Sequence, residues 1–361
     1  MNALEREIRS LIENAGPIPV SRYMALALGH PRHGYYMTRD PFGASGDFVT
    51  APEVSQMFGE LIGIWCAEVW HAMGEPARVH LVELGPGRGT LMNDLLRAAK
   101  VVPAFRASLE VHLVETSPVL AEAQRRALNE ASVPVRWHNS TATLPDGALI
   151  VVANEFIDAL PIDQLVRAEA GWHERKVGLK DGQLVFALDP IPLPRIEEGL
   201  PAQLRGAPTG SLLESRDLTP VREVAQRIAT HGGAALFIDY GHVRSGFGDT
   251  LQAVREHKVT DPLRDPGEAD LTAHVDFEQL AVAALREGLH TLGPVPQGAF
   301  LRALGIDARA ERLKRNQDEA TASTIDAALA RLAAPSPGMG ELFKVLALVQ
   351  PALTAPPGFD S

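Results

Sequence analysis

Cysteine is almost absent: Cys66 is the single one in 361 residues. That excludes an intramolecular disulfide and any multi-cysteine metal cage, and its place in an apolar helical run marks it as core. Basic charge is also short, with 34 lysines and arginines against 45 aspartates and glutamates, a net charge of −11, and no lysine or arginine block. A nucleic-acid partner is disfavoured, because phosphate binding needs a basic face. No apolar run reaches the roughly 18 to 20 residues that a spanning helix needs, so membrane insertion is not expected. The N-terminus, MNALEREIRSLIENAGPIPV, lacks the apolar stretch of a signal peptide, and Glu5 and Glu7 argue against a transit peptide. The expected address is cytoplasmic. There is no internal repeat, and composition leaves the oligomeric state unknown. What is present is 45% hydrophobic content, enough for one large core, or a core with a sizeable annex, in a globular chain.

The chain is organised around Arg78 to Thr90, RVHLVELGPGRGT. Val79, Leu81, Val82 and Leu84 read as a buried strand. The strand runs into glycines at alternate positions, Gly85, Gly87 and Gly89, and then into a helix-forming segment from Leu91 to Ala99. The turn is bare of side chains, and the free N–H groups of the helix point back at it. A dinucleotide fingerprint would need glycine where Thr90 stands. The pattern is instead E-x-G-x-G-x-G, Glu83 to Gly89, which resembles the first motif of class I S-adenosylmethionine (SAM) methyltransferases. A carboxylate at the strand end suits the cationic amino-acid end of SAM and would repel a pyrophosphate. A ligand-free structural turn is the alternative. A second apolar strand ends in Glu115, followed by Thr116, by Ser117 as an N-cap and by Pro118 at the first helical position. Glu115 then lies beside the glycine turn, placed to accept both ribose hydroxyls. The cofactor-binding candidates are Glu83, Gly85, Pro86, Gly87, Gly89, Thr90, Glu115 and Thr116.

Along the chain, residues 1–76 read as a helical annex. It contains an irregular stretch from His30 to Phe48 whose aromatic residues argue for order, with Asp47 as a site candidate. Thr50 and Glu53 match a capping box for a helix to about Met73. From 77 an α/β pattern runs to about 350, with strands near 78–84, 109–115, 134–138 and 148–153. The fourth strand leads into NEFIDALP, where Asn154, Glu155 and Asp158 are the polar groups best placed for chemistry. The alternative for Asn154 and Asp158 is capping of the next turn. Between about 163 and 215 the parallel pattern lapses into hairpins and proline-rich coil, an insertion suited to a lid or a partner surface. AALFIDYGH reads as a fifth strand ending in Asp239 and Tyr240, and Val243 to His274 as a polar loop. Asp270, His274 and Asp276 tempt a metal reading, but their spacing is no metal signature and Asp276 suits an N-cap, so no metal is expected. A short strand near His290, helices from Gln297 to Ala333, the closing strand ELFKVLALVQ and a frayed tail over 351–361 complete the pattern.

The segments SGDFVTAPEVSQMFGELIG, VELGPGRGTLMNDLL, ANEFIDALPIDQ, FIDYGH, GDTLQAVREHK, DLTAHVDFEQLA and MGELFKVL occur in that order over about residues 20–350. Together they resemble the MidA-like family, whose mitochondrial members are the complex I assembly-factor protein arginine methyltransferases. The resemblance implies a Rossmann-like class I methyltransferase fold, with a seven-stranded, mostly parallel sheet and an antiparallel last strand. It implies SAM as cofactor and a protein substrate, an arginine on a peripheral-arm subunit of NADH:quinone oxidoreductase during assembly. The alternatives are a small-molecule methyltransferase, and an assembly chaperone that binds SAM without turnover. A guanidinium stays protonated and must be clamped by carboxylates. Glu155 is therefore the expected clamp, with Asn154 and Asp239 as its catalytic companions and Asp47, Asp158 and His274 on the substrate side.

Overall fold

The computed structural model describes residues 1–41, 43 and 49–359. The chain forms two compact units. One joins Met1–Pro41, Asp158–Asp217 and Arg244–His274, and the other joins Phe42–Ile157, Leu218–Val243 and Val275–Ser361. The chain therefore divides after residue 41 rather than after residue 76, and the N-terminal helices share a unit with the expected insertion. Asp47 lies outside the described residues.

The unit that begins at residue 42 is built on one sheet. Its strands are β1 (Val79–Leu84), β2 (Leu109–Val114), β3 (Val135–His138), β4 (Leu149–Asn154), β5 (Gly233–His242), β6 (His290–Pro296) and β7 (Phe343–Val349). They lie in the order β3-β2-β1-β4-β5-β7-β6, and the two-residue strand Val275–Asp276 pairs with the end of β5. The five strands from β3 to β5 are parallel, while β7 runs antiparallel between β5 and β6. This is the expected class I sheet. Every residue of β1 and β4 is buried, which is why β4 reads as an apolar run as far as Asn154 and β1 as a mainly apolar one around His80 and Glu83, rather than as alternating strands. β6 carries Pro294 and Pro296, which an edge strand tolerates because its outer N–H groups need no partner.

Helix α1 (Gln56–Ala72) packs on helix α2 (Thr90–Ala98) through glycine: a Cβ on Gly59 would lie 2.6 Å from the Cβ of Asp94, and one on Gly63 2.9 Å from the Leu95 carbonyl oxygen. The single expected helix from Thr50 to Met73 is two. A short helix, Ala51–Val54, ends at Ser55, and the Ser55 hydroxyl caps α1 by accepting from the Met57 N–H. Thr50 makes no side-chain cap bond, and Glu53 turns elsewhere. The expected frayed tail is docked as far as it is described: Leu353 is buried and the Phe359 ring lies 5.3 Å from that of Phe300.

Three histidines cross the sheet as a ladder. His80 Nδ1 and His112 Nε2 are 3.0 Å apart, and His112 Nδ1 and His138 Nε2 are 2.9 Å apart. Burial keeps all three rings below the usual imidazole range, His112 at about 4.

In the other unit, Gly171–Lys180 is the central strand of a sheet. It pairs antiparallel with Ile162–Ala168, with Gln183–Leu188 and with Ile18–Pro19, and Leu212–Arg216 pairs with Ile162–Ala168. The N-terminal segment is thus tied to the insertion by backbone hydrogen bonds. The expected irregular stretch after His30 contains a helical turn, Tyr35–Thr38. The expected polar loop 243–274 is also corrected, since Gln252–Arg255, Lys258–Thr260 and Asp270–Thr272 form a small antiparallel sheet. Its hairpin turns on Glu256 and His257, at φ +51° and +60°. Those residues take the left-handed conformations of a tight hairpin turn without the Asn-Gly signature that would announce it.

Candidate functional site

β1 delivers Glu83 to the C-terminal edge of the parallel strands, where ligands bind in open α/β sheets. The chain then turns through Gly85, Gly87 and Gly89 at φ +63°, +52° and +84°, conformations cheap only for glycine. The Gly89 N–H donates to the Pro86 carbonyl at 2.8 Å, closing the turn, and Gly89 is the N-cap of α2. A Cβ on Gly85 would come within 2.9 Å of the Phe156 ring. The turn is a cradle with no room for side chains at that point.

Glu83 is 3% exposed, and its Oε2 has no hydrogen-bond partner among the described residues. Burial, with the Glu115 carboxylate adding to it, raises its pKa to about 8; a bond from the Met92 N–H opposes the shift without cancelling it. An orphaned buried carboxylate oxygen costs free energy unless a donor or cation arrives. Glu115 follows β2. Its carboxylate accepts from the Ser117 N–H at 2.7 Å and from Gln124 Nε2 at 3.1 Å. Ser117 caps the helix Pro118–Ala127 as expected. The Gln124 amide nitrogen also donates to the Gly87 carbonyl at 2.7 Å, and its oxygen accepts from Trp137 Nε1 at 2.9 Å. One buried side chain therefore fastens the glycine turn to Glu115. Thr116 is exposed beside it.

At the end of β4, Asn154 is buried and its Oδ1 has no partner among the described residues, while its Nδ2 donates to Glu155 Oε1 at 3.2 Å. Glu155 stands at φ +50°, a strained backbone for a residue with a Cβ, and the Ala51 N–H also donates to its Oε1 at 3.2 Å. Asp239, 1% exposed, accepts the Ile157 N–H at 3.0 Å and its neighbour Tyr240 N–H at 2.9 Å. It holds the backbone of the loop that presents Glu155. Thr90 Oγ1 donates to Glu53 Oε1 at 2.5 Å, so Glu53 reaches the first residue of α2.

Comparison with known proteins identifies the family. The profile of an S-adenosyl-L-methionine-dependent methyltransferase family matches residues 61–295. The chain belongs to that methyltransferase family. It is 38% identical over 387 residues to the mitochondrial protein arginine methyltransferase NDUFAF7 homolog of Drosophila melanogaster, covering 98% of this chain and 86% of that one. To the mitochondrial human protein arginine methyltransferase NDUFAF7 it is 35% identical over 343 residues, covering 87% and 76%. Its structure matches that of a Burkholderia thailandensis protein bound to S-adenosyl-homocysteine (SAH) with a TM-score of 0.82 and 32% identity, covering 99% of this chain and 93% of that one. The expected cytoplasmic address is corrected by these animal relatives, which are named as mitochondrial. No helix among the described residues is long and apolar enough to cross a membrane.

The methyltransferase uses SAM, and the residues present fit it. The orphaned Glu83 oxygen suits an ammonium, and the turn has the bare backbone a close-lying nucleoside needs. The sequence candidates Glu83, Gly85, Pro86, Gly87, Gly89, Thr90, Glu115, Asn154, Glu155 and Asp239 all belong to this unit. Asp158 and His274 belong to the other, where the Asp158 carbonyl accepts from the Ala273 N–H at 3.1 Å and the His274 N–H donates to Thr250 Oγ1 at 2.9 Å. The tempting metal set separates into other duties. Asp270 accepts from the Tyr36 hydroxyl at 2.8 Å, and the Asp276 carboxylate caps the helix Phe277–Arg286. His80, Glu110 and His112 do bring ligand atoms within 4.8 Å of one another. Those two rings are already bonded in the ladder, and Arg78 lies 3.1 Å from Glu110. Sequence reasoning missed Gln124 and assigned Glu53 to capping.

Proposed function

We propose that the protein is a SAM-dependent protein arginine methyltransferase acting on a subunit of the peripheral arm of NADH:quinone oxidoreductase during assembly. The observation that carries the reading is the pair at the end of β4: a carboxylate, Glu155, on a strained backbone, beside an amide, Asn154, whose buried oxygen has no donor among the described residues. A guanidinium offers several N–H donors in a fixed fork and keeps its charge. Glu155 binds and orients that fork, and Asn154 Oδ1 accepts a further N–H. Asp239 keeps the presenting loop in register through Ile157. SAM, when bound, supplies an electrophilic methyl group. Once the nitrogen is alkylated its surplus proton needs an acceptor, and in this reading the Glu155 carboxylate takes it. Orienting the reactants is the main contribution, up to roughly 7 to 11 kcal/mol when alignment is good. The relatives named as protein arginine methyltransferases support the substrate class.

The experiment is incubation of the purified peripheral-arm subunits with the protein and SAM, followed by peptide mass spectrometry for methylarginine, with Glu155→Ala as control. Methylation by the wild type and none by the variant is the expected result. Tight SAH binding with no modified arginine on any subunit would sink the proposal.

A further inference from the structure

We infer that the short helix Ala51–Val54 is a clasp between the cofactor turn and the substrate-side carboxylate, with Glu53 as its positioning residue. The inference rests on the methyltransferase reading and deepens it. Three contacts carry it. Glu53 Oε1 accepts from Thr90 Oγ1 at 2.5 Å, and Thr90 is the first residue of α2, directly after the glycine turn. Glu53 Oε2 lies 3.9 Å from Arg88, inside that turn. Two residues back, the Ala51 N–H donates to Glu155 Oε1 at 3.2 Å. One four-residue element therefore grips the turn with a side chain and the post-β4 carboxylate with its backbone.

Local needs explain none of this. A glutamate at this position of a first turn ordinarily bonds its own helix in a capping box, yet Thr50 makes no reciprocal side-chain cap and the Glu53 carboxylate crosses to another segment. The short helix is held at its N-terminal end. Ala51 and Pro52 are buried, and Arg331 donates to the Val49 carbonyl at 3.2 Å. A displacement of the glycine turn is therefore transmitted through Thr90 and Glu53 to a rigid piece of backbone, and from it to Glu155. A carboxylate at the start of α2 also complements the positive end of that helix, which fixes the turn further. Glu53 touches Thr90 rather than the reacting atoms and acts through the geometry of its neighbours.

The test is calorimetric titration of SAH into the wild type, Glu53→Gln, Thr90→Val and the double variant, with hydrogen exchange followed at the Ala51 amide. Each single variant should weaken SAH binding up to about tenfold, since Thr90→Val deletes the bond to Glu53 and Glu53→Gln replaces its charged acceptor with a neutral one. The double variant should be no worse than Thr90→Val alone, because once the hydroxyl is gone the charge on Glu53 has no bond left to strengthen. Exchange at Ala51 should quicken in Glu53→Gln. Unchanged SAH affinity in Glu53→Gln, or losses that multiply in the double variant, overturns the clasp. A fall in melting temperature at unchanged affinity assigns Glu53 to stability alone and overturns it too. A wild type that does not bind SAH fails the methyltransferase reading itself, a separate outcome.

Discussion

Cofactor binding should release a proton, and Glu83 is the reason. Burial and the Glu115 carboxylate hold the Glu83 carboxyl at about 8, so it is mostly protonated at neutral pH. A ligand bearing an ammonium needs the carboxylate form and pulls the pKa down. For a group at about 8 that binds only when ionised, the fraction protonated at pH 7 is 1/(1 + 10⁻¹), so roughly 0.9 proton leaves on binding. The sign follows: acid opposes binding. Between pH 6 and pH 8 the ionised fraction rises from roughly 1/101 to 1/2, a gain in affinity of about 50-fold, or about 2.3 kcal/mol. The assay is titration calorimetry with SAH at pH 6, 7 and 8, each in two buffers of different ionisation enthalpy, which counts protons directly. Glu83→Gln keeps the shape and removes the titration, so its SAH binding should be weak and flat with pH. Affinity independent of pH in the wild type, or the same slope in Glu83→Gln, would refute the argument.

Other consequences follow from the same geometry. Gly87→Val places a β-branched residue at φ +52°, a strain of about 1 to 3 kcal/mol inside the cradle. SAH binding should be lost while circular dichroism keeps the native spectrum. Gln124→Leu leaves the Gly87 carbonyl and the Glu115 carboxylate each short of a donor. It should cost about 1 to 3 kcal/mol in urea unfolding and weaken SAH binding as well. Glu155→Ala should keep SAH affinity within a few-fold and abolish methyl transfer, a split read by calorimetry beside a radiolabelled-methyl assay. In the histidine ladder, His112 is pushed down to about 4 by burial first and then by His80 and His138. The unfolded chain therefore binds more protons between about 4 and 6.5. Stability from this group is full above that window and is lost as pH falls through it, worth about 1 to 2 kcal/mol after allowance for screening. His112→Gln should flatten that part of the profile of unfolding free energy against pH, and an unaltered profile would remove the ladder as its source.

Glu83, the three glycines and Glu115 were legible because strand, turn and helix follow one another within a few residues, and each step has its own chemistry. An apolar run ends, alternate glycines leave the backbone bare, and Ser117 with Pro118 opens the next helix. The Asn154–Glu155 pair was legible for the same reason, as the polar end of an unbroken apolar strand. The order of the parallel strands followed from the resemblance. The small sheet in 243–274 was hidden, since its turn uses Glu256 and His257 where a glycine signal would be expected. The docking of Phe359 on Phe300 was hidden too, because a terminal segment carries no periodicity to read.

By itself, then, the sequence determined the strands, the glycine turn and the carboxylates at the strand ends, all of them set by neighbours along the chain, and by its resemblance to a family it implied the class I sheet. Only the tertiary structure decided what holds them. Gln124 meets Gly87 and Glu53 meets Thr90 across 37 positions each, and the N-terminal strand Ile18–Pro19 pairs with Lys176 and Val177 across more than 150. Such bonds depend on where packing brings distant segments together, and no local pattern encodes that. A glutamate that reads as its own helix's cap can serve another helix once folding brings the two within hydrogen-bond reach.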